Sequence, residues 1–150
     1  MSEELIQKAK ECLADTFVMY MKAHSYHWNV TGPDFPQYHD FFGALYQELW
    51  EAVDPVAEHI RTLDEFAMGN LGNYARLGTV DLVKDELNPF PAEAMFMQLT
   101  VDNEKVIKSL TDAHALAEAA NNRGLVNFIE ERLDVHAKHG WMLKSTVRQG

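Results

Sequence analysis

Apolar residues recur every three or four positions from near the start of the chain. Leu5, Ala9, Leu13, Phe17 and Tyr20 form one helical stripe, with Cys12 and His24 beside it. This spacing predicts a first helix from Ser2 to about Val30, with Ser2 as its N-cap. The stretch "NVTGPDFP" interrupts it, Gly32 and Pro33 marking a turn. A second stripe of Phe41, Phe42, Leu45, Leu49, Val53, Val56, Ile60 and Leu63 predicts a helix from about Phe35 to Leu63, capped by Asp34. Residues 64–90 break the rhythm. Gly69, Gly72 and Gly78 punctuate them, Pro89 and Pro91 close them, and "TVDLVKDEL" from Thr79 to Leu87 reads as one short helix. Periodicity returns with Met95, Leu99, Val106, Leu110, Ala113 and Ala117, predicting a helix from Pro91 to Asn121 with the proline in its first turn. "NNRG" ends it. Phe128, Ile129, Leu133, Trp141 and Leu143 then mark a last helix from about Leu125 to Thr146.

Four long helices, with one long connection between the second and third, predict an all-α up-down four-helix bundle with a crossover. The short loops make helices one and two antiparallel neighbours, and likewise three and four. A chain of 150 residues suits one domain with one core, spanning 1–150.

Composition narrows the function. Hydrophobic content of 47% and charged content of 24% are those of a globular protein. A net charge of −10 argues against a chain built to coat nucleic acid and is compatible with attracting cations. The single cysteine, Cys12, excludes an internal disulfide and suggests a reducing compartment. "MSEELIQKAK" does not read as a signal peptide, and no apolar run approaches the ~20 residues of a membrane span. A cytoplasmic protein without membrane partners is expected.

Candidate chemistry gathers between His24 and Ile60. Asp54 and Glu58 lie four residues apart on a predicted helix, so they share a face one turn apart and repel unless a cation sits between them. Apolar Val53, Val56 and Ala57 flank the pair, and Pro55 sits inside the helix. His27 closes the first helix and His39 opens the second, so both histidines can face one spot. Imidazoles plus carboxylates suit iron, zinc or manganese. Yet His39 and Asp54 stand fifteen residues apart on one helix, roughly 22 Å along its axis. Either these residues serve different sites, or a second copy of the chain completes the site across a two-fold axis.

The residues "HW" at 27–28, Gly32, Phe35, His39, Asp54, "AE" at 57–58 and Leu63, with "KHGWMLK" at 138–144, resemble the Dps family of ferritin-like mini-ferritins. The resemblance covers nearly the whole chain. It implies a ferroxidase centre between two subunits, with His27 and His39 from one chain and Asp54 and Glu58 from its neighbour binding iron, and Trp28 close by. It further implies a hollow dodecamer that oxidises Fe(II) with hydrogen peroxide or oxygen, stores the ferric product and protects against oxidative damage. Two positions and one region depart from the family pattern. Gly43 stands where many members carry an acid, and His59 replaces an arginine and is expected at a surface or interface. The acidic iron-entry pore is reduced to Glu130 and Glu131, beside Arg123, Asn127 and Asp134. The Glu-x-x-His pairs of larger ferritins are missing. The pairs His24/His27 and His136/His139 supply only two ligands each, short of a closed site. DNA binding is expected to be weak or absent, because the first basic residue is Lys8 and only Lys138, Lys144 and Arg148 gather near the other end. The alternatives are a DNA-binding nucleoid protein and a helical oligomer that binds zinc or another metal without ferroxidase activity.

Overall fold

The computed structural model describes residues 3–85, 88 and 90–148. Five helices follow one another among them: α1 (Glu3–Asn29), α2 (Phe35–Thr62), α3 (Leu71–Leu77), α4 (Ala92–Ala119) and α5 (Arg123–Val147). The four long helices fall where the apolar stripes place them, to within two residues at most ends. α1 packs on α2 and on α4, and α4 on α5. Leu5, Leu13 and Met19 of α1 meet Phe42, Leu49 and Ile60 of α2, Met95, Leu99 and Val106 of α4, and Ile129 and Leu143 of α5 in one core. Each such side chain contributes about 1.5–3 kcal/mol by leaving water. Trp141, read as an apolar member of the last stripe, is 68% exposed and takes no part in that core.

The short helix of the crossover is not where the sequence places it. Residues 79–85 are non-helical, and the helical turn lies earlier, in α3. Asn70 starts α3 by accepting a hydrogen bond from Asn73 N. Thr79 and Val80 are held instead by the fully buried Asp15 of α1, whose carboxylate accepts from both their amides and from the Thr79 hydroxyl. Tyr74 of α3 stacks on Phe17 of α1 at 4.5 Å and donates its hydroxyl to Met68 O, so the crossover is strapped along α1. Ser2, the expected first cap, and residues 86, 87 and 89 lie outside the described residues. Asp34 precedes α2 without a side-chain capping bond. Asn122 caps α5 by accepting from Leu125 N.

Two polar clusters cross the bundle interior. Lys22 of α1 places its ammonium 2.8 Å from Asp102 of α4 and donates to Asp81 O in the crossover. Glu48 of α2 accepts from the Arg132 guanidinium and from His139 Nε2, both on α5. Arg132 also donates to His136 Nε2, and His136 Nδ1 donates to Asn103 Oδ1 of α4.

Candidate metal centre

The loop between α1 and α2 sets the histidines face to face. Val30 is buried and its amide donates to Tyr26 O, extending the last turn of α1. Gly32 takes φ +122°, a conformation that favours glycine, and its carbonyl accepts from Phe35 N to start α2. His27 on α1 and His39 on α2 then stack with ring centroids 3.7 Å apart and planes 18° from parallel. Each donates its Nδ1–H to the other's backbone carbonyl at 2.7 Å. A carbonyl only accepts, so these bonds fix the tautomer and leave each neutral ring with its lone pair on Nε2, the state a metal ligand requires. Phe35 covers the outer face of His39 at 5.0 Å.

Farther along α2, Asp54 and Glu58 are both exposed and one turn apart. The Glu58 carboxyl is held above its usual range by a hydrogen bond with Asp54 and by the Asp54 charge, with a minor contribution from burial. The two carboxylates thus repel across one turn of helix, a repulsion that a cation between them would relieve. α2 runs as an uninterrupted helix through Pro55. The structure thus brings His27 and His39 together, and Asp54 and Glu58 together, but leaves the two pairs apart within one protomer. Among the described residues, no group of three or more His, Cys, Asp or Glu side chains of a single chain is set to hold a metal ion.

The remaining candidates fall as follows. Trp28 is 59% exposed and packs on His24 at 4.2 Å rather than in the core. His59 turns its ring onto Phe128 of α5 at 4.4 Å, and burial lowers its pKa. Glu131 is exposed, and Glu130 lies 3.8 Å from His114 of α4. The His24/His27 pair is not a free two-ligand site, since His24 Nδ1 is engaged by the Tyr20 hydroxyl at 3.0 Å. Nor is His136/His139, whose nitrogens bond to Asn103, Arg132 and Glu48. Sequence reasoning missed the aromatic wall beside the histidines, where His24 stacks on Tyr46 at 3.8 Å and Tyr20 lies 5.0 Å from Trp50. The readable signal was there: Phe35, His39, Tyr46 and Trp50 share one α2 stripe, facing Tyr20, His24 and His27 of α1.

Known proteins share this arrangement of helices. The family described as Ferritin-like domain matches residues 6–150. General stress protein 20U of Bacillus subtilis (strain 168) is 30% identical over 148 residues, covering 97% of this chain and 98% of its own. The DNA protection during starvation protein of Helicobacter pylori (strain J99) is 26% identical over 136 residues, covering 91% and 93%. The crystal structure of Dps from Staphylococcus aureus superposes with a TM-score of 0.92 at 27% identity, over 99% of this chain and 98% of that one. The chain belongs to the ferritin-like domain family and, within it, to the Dps mini-ferritins.

Proposed function

We propose that this protein is a ferroxidase and iron store that oxidises Fe(II) at centres shared between two chains and deposits the ferric product inside a dodecameric shell. The observation that carries this reading is the stacked His27–His39 pair, both rings locked by Nδ1 with both Nε2 atoms left for a metal. Those two nitrogens lie at the start of α2, and the carboxylates that complete the donor set lie roughly 22 Å farther along the same helix. Metal–ligand bonds are about 2 Å long, so one chain cannot close the site. A two-fold axis across antiparallel α2 helices brings His27 and His39 of each chain to Asp54 and Glu58 of the other, forming two centres per pair. Iron is the substrate. Each Fe(II) gives up one electron, and hydrogen peroxide, taking two electrons and two protons, leaves as two waters; oxygen is the alternative acceptor. A cation bound between Asp54 and Glu58 relieves the mutual repulsion that holds the Glu58 carboxyl above its usual range. DNA binding is weak, because a shell of chains each carrying −10 repels duplex DNA and the first turn of α1 presents Glu3 and Glu4.

Complementation between two half-dead variants tests the shared centre. His27→Ala/His39→Ala and Asp54→Ala/Glu58→Ala should each oxidise Fe(II) slowly, since each removes half of every centre. Dissociated and reassembled together in equal amounts, they should recover about a quarter of wild-type centres, because half of randomly formed pairs are mixed and each mixed pair holds one intact centre. A mixture that stays as inactive as its parents, with mass analysis showing that the chains have mixed, would place the ligands within one chain.

A further inference from the structure

We propose that Gly43 is a positioning residue for His27, and that any side chain at this position, an acidic one included, weakens the centre. The inference rests on the reading of His27 as a metal ligand.

Gly43 follows His39 by one turn of α2 and precedes Tyr46 by three residues, so it lies in the stripe that faces α1. His39 and Tyr46 both carry rings, and Gly43 leaves a gap between them. The His27 ring fills that gap. A Cβ added at Gly43 would come within 3.1 Å of His27 Cε1 and 3.2 Å of His27 Nδ1, tighter than ordinary van der Waals contact. The ring has little freedom to retreat. The His39 ring covers one face at 3.7 Å, the His39 carbonyl holds Nδ1 at 2.7 Å, and Tyr46 and His24 stand at 5.2 and 6.2 Å. An intruding Cβ presses on the nitrogen that sets the tautomer and turns Nε2 away from the metal position. Ligand counting gives the opposite expectation, since an acid here would add an oxygen donor. The packing of His27 overrides it in this chain.

The test uses the full-length assembled protein with Co(II) alone as probe, followed by its visible absorption, and imidazole NMR of the metal-free protein. Gly43→Ala should weaken Co(II) binding about tenfold, the size of effect seen when a partner that orients a ligand is lost. Its melting temperature should not fall, because alanine favours helix over glycine. The His27 Nδ1–H signal should shift or exchange faster. Gly43→Asp should weaken binding as well. In a His27→Ala background, Gly43→Ala should change affinity by less than about twofold, the sign that it acts through that ring.

Tighter or unchanged binding by Gly43→Asp would overturn the proposal. So would an equal loss for Gly43→Ala in the His27→Ala background, or loss of fold in Gly43→Ala, which would give the glycine a role in the bundle instead. If His27→Ala leaves Co(II) binding intact, it is the ligand assignment that fails. The NMR of the metal-free variants still decides whether Gly43 positions the ring.

Discussion

His136 is fully buried, with its Nδ1–H on Asn103 and its Nε2 facing the Arg132 guanidinium, so its surroundings oppose a second proton. Burial, and then the Arg132 charge, hold its pKa well below the usual 6.5. At Glu48, burial works to raise the pKa, but hydrogen bonds from His139 and Arg132 and their charges outweigh it and bring it to about 2. Both groups are depressed in the folded chain, so both stabilise the fold above their unfolded values and lose that contribution as pH falls. His136 gives a first loss beginning below about pH 6.5, and Glu48 a second between about pH 4.5 and 2. The Glu48 step is worth about 2 kcal/mol once its one-third exposure is allowed for. Melting of the metal-free protein should therefore fall between pH 7.5 and 5.5, and again below pH 4.5. His136→Leu should lower the melting temperature at pH 7.5 but shrink the first step. It would not abolish that step, because His24 and His59, whose pKa values are lowered chiefly by burial, act in the same direction. A first step of undiminished size in His136→Leu would count against this assignment. None of this network was legible from spacing. Glu48 sits among solvent-facing residues of its helix pattern, and Arg132 reads as surface until three helices are folded around it.

The crossover shows why short elements escape sequence reasoning while long ones do not. α1, α2, α4 and α5 each repeat their apolar spacing over seven or so turns, so single exceptions such as exposed Trp141 do not hide the period. "TVDLVKDEL" has the composition of a helix over barely two turns, yet residues 79–85 are non-helical and their first two amides are tied to α1. Asp15, sixty-odd residues upstream, takes the Thr79 and Val80 amides, while "LGNYARL", flanked by glycines, folds because Asn70 caps it and Tyr74 lands on Phe17. Sequence spacing cannot show a contact of that range. Asp15→Ala should leave two backbone amides and two hydroxyls, those of Thr79 and Ser109, without their buried acceptor. The expected cost is about 3 kcal/mol. Hydrogen exchange at Thr79 and Val80 should accelerate well beyond that at core amides of α2. Exchange that rises equally everywhere would mean that Asp15 serves global stability and not the strap.

At the scale of the whole molecule, the candidate site was legible because its parts are incompatible within one chain. Residue types pointed to a metal, and fifteen residues of uninterrupted helix keep His39 and Asp54 apart within one chain. Under the proposed shared centre, the same helix says where a two-fold axis would lie. If His39 of one chain meets Asp54 and Glu58 of the next, antiparallel α2 helices must cross midway between those positions, within about a turn of Tyr46 and Trp50. Trp50 is 53% exposed in the protomer, and so are Trp28 at 59% and Leu71 at 71%; a 250 Å³ cavity lined by Phe17, Met21, Leu71, Tyr74 and Leu82 opens between α1 and the crossover. Trp50, beside the midpoint of α2, is the exposed aromatic that the proposed subunit contact would cover. Wild-type protein should scatter light as a species of roughly 200 kDa, twelve times the 17.1 kDa chain. Trp50→Glu sets two like charges against each other at the axis while leaving every proposed ligand in place. It should yield smaller species and lose Fe(II) oxidation together with Co(II) binding, since both halves of each centre part when the pair parts. A Trp50→Glu protein that is monomeric yet still binds Co(II) through His27 and Glu58 would refute the shared centre, whatever the size of the native assembly.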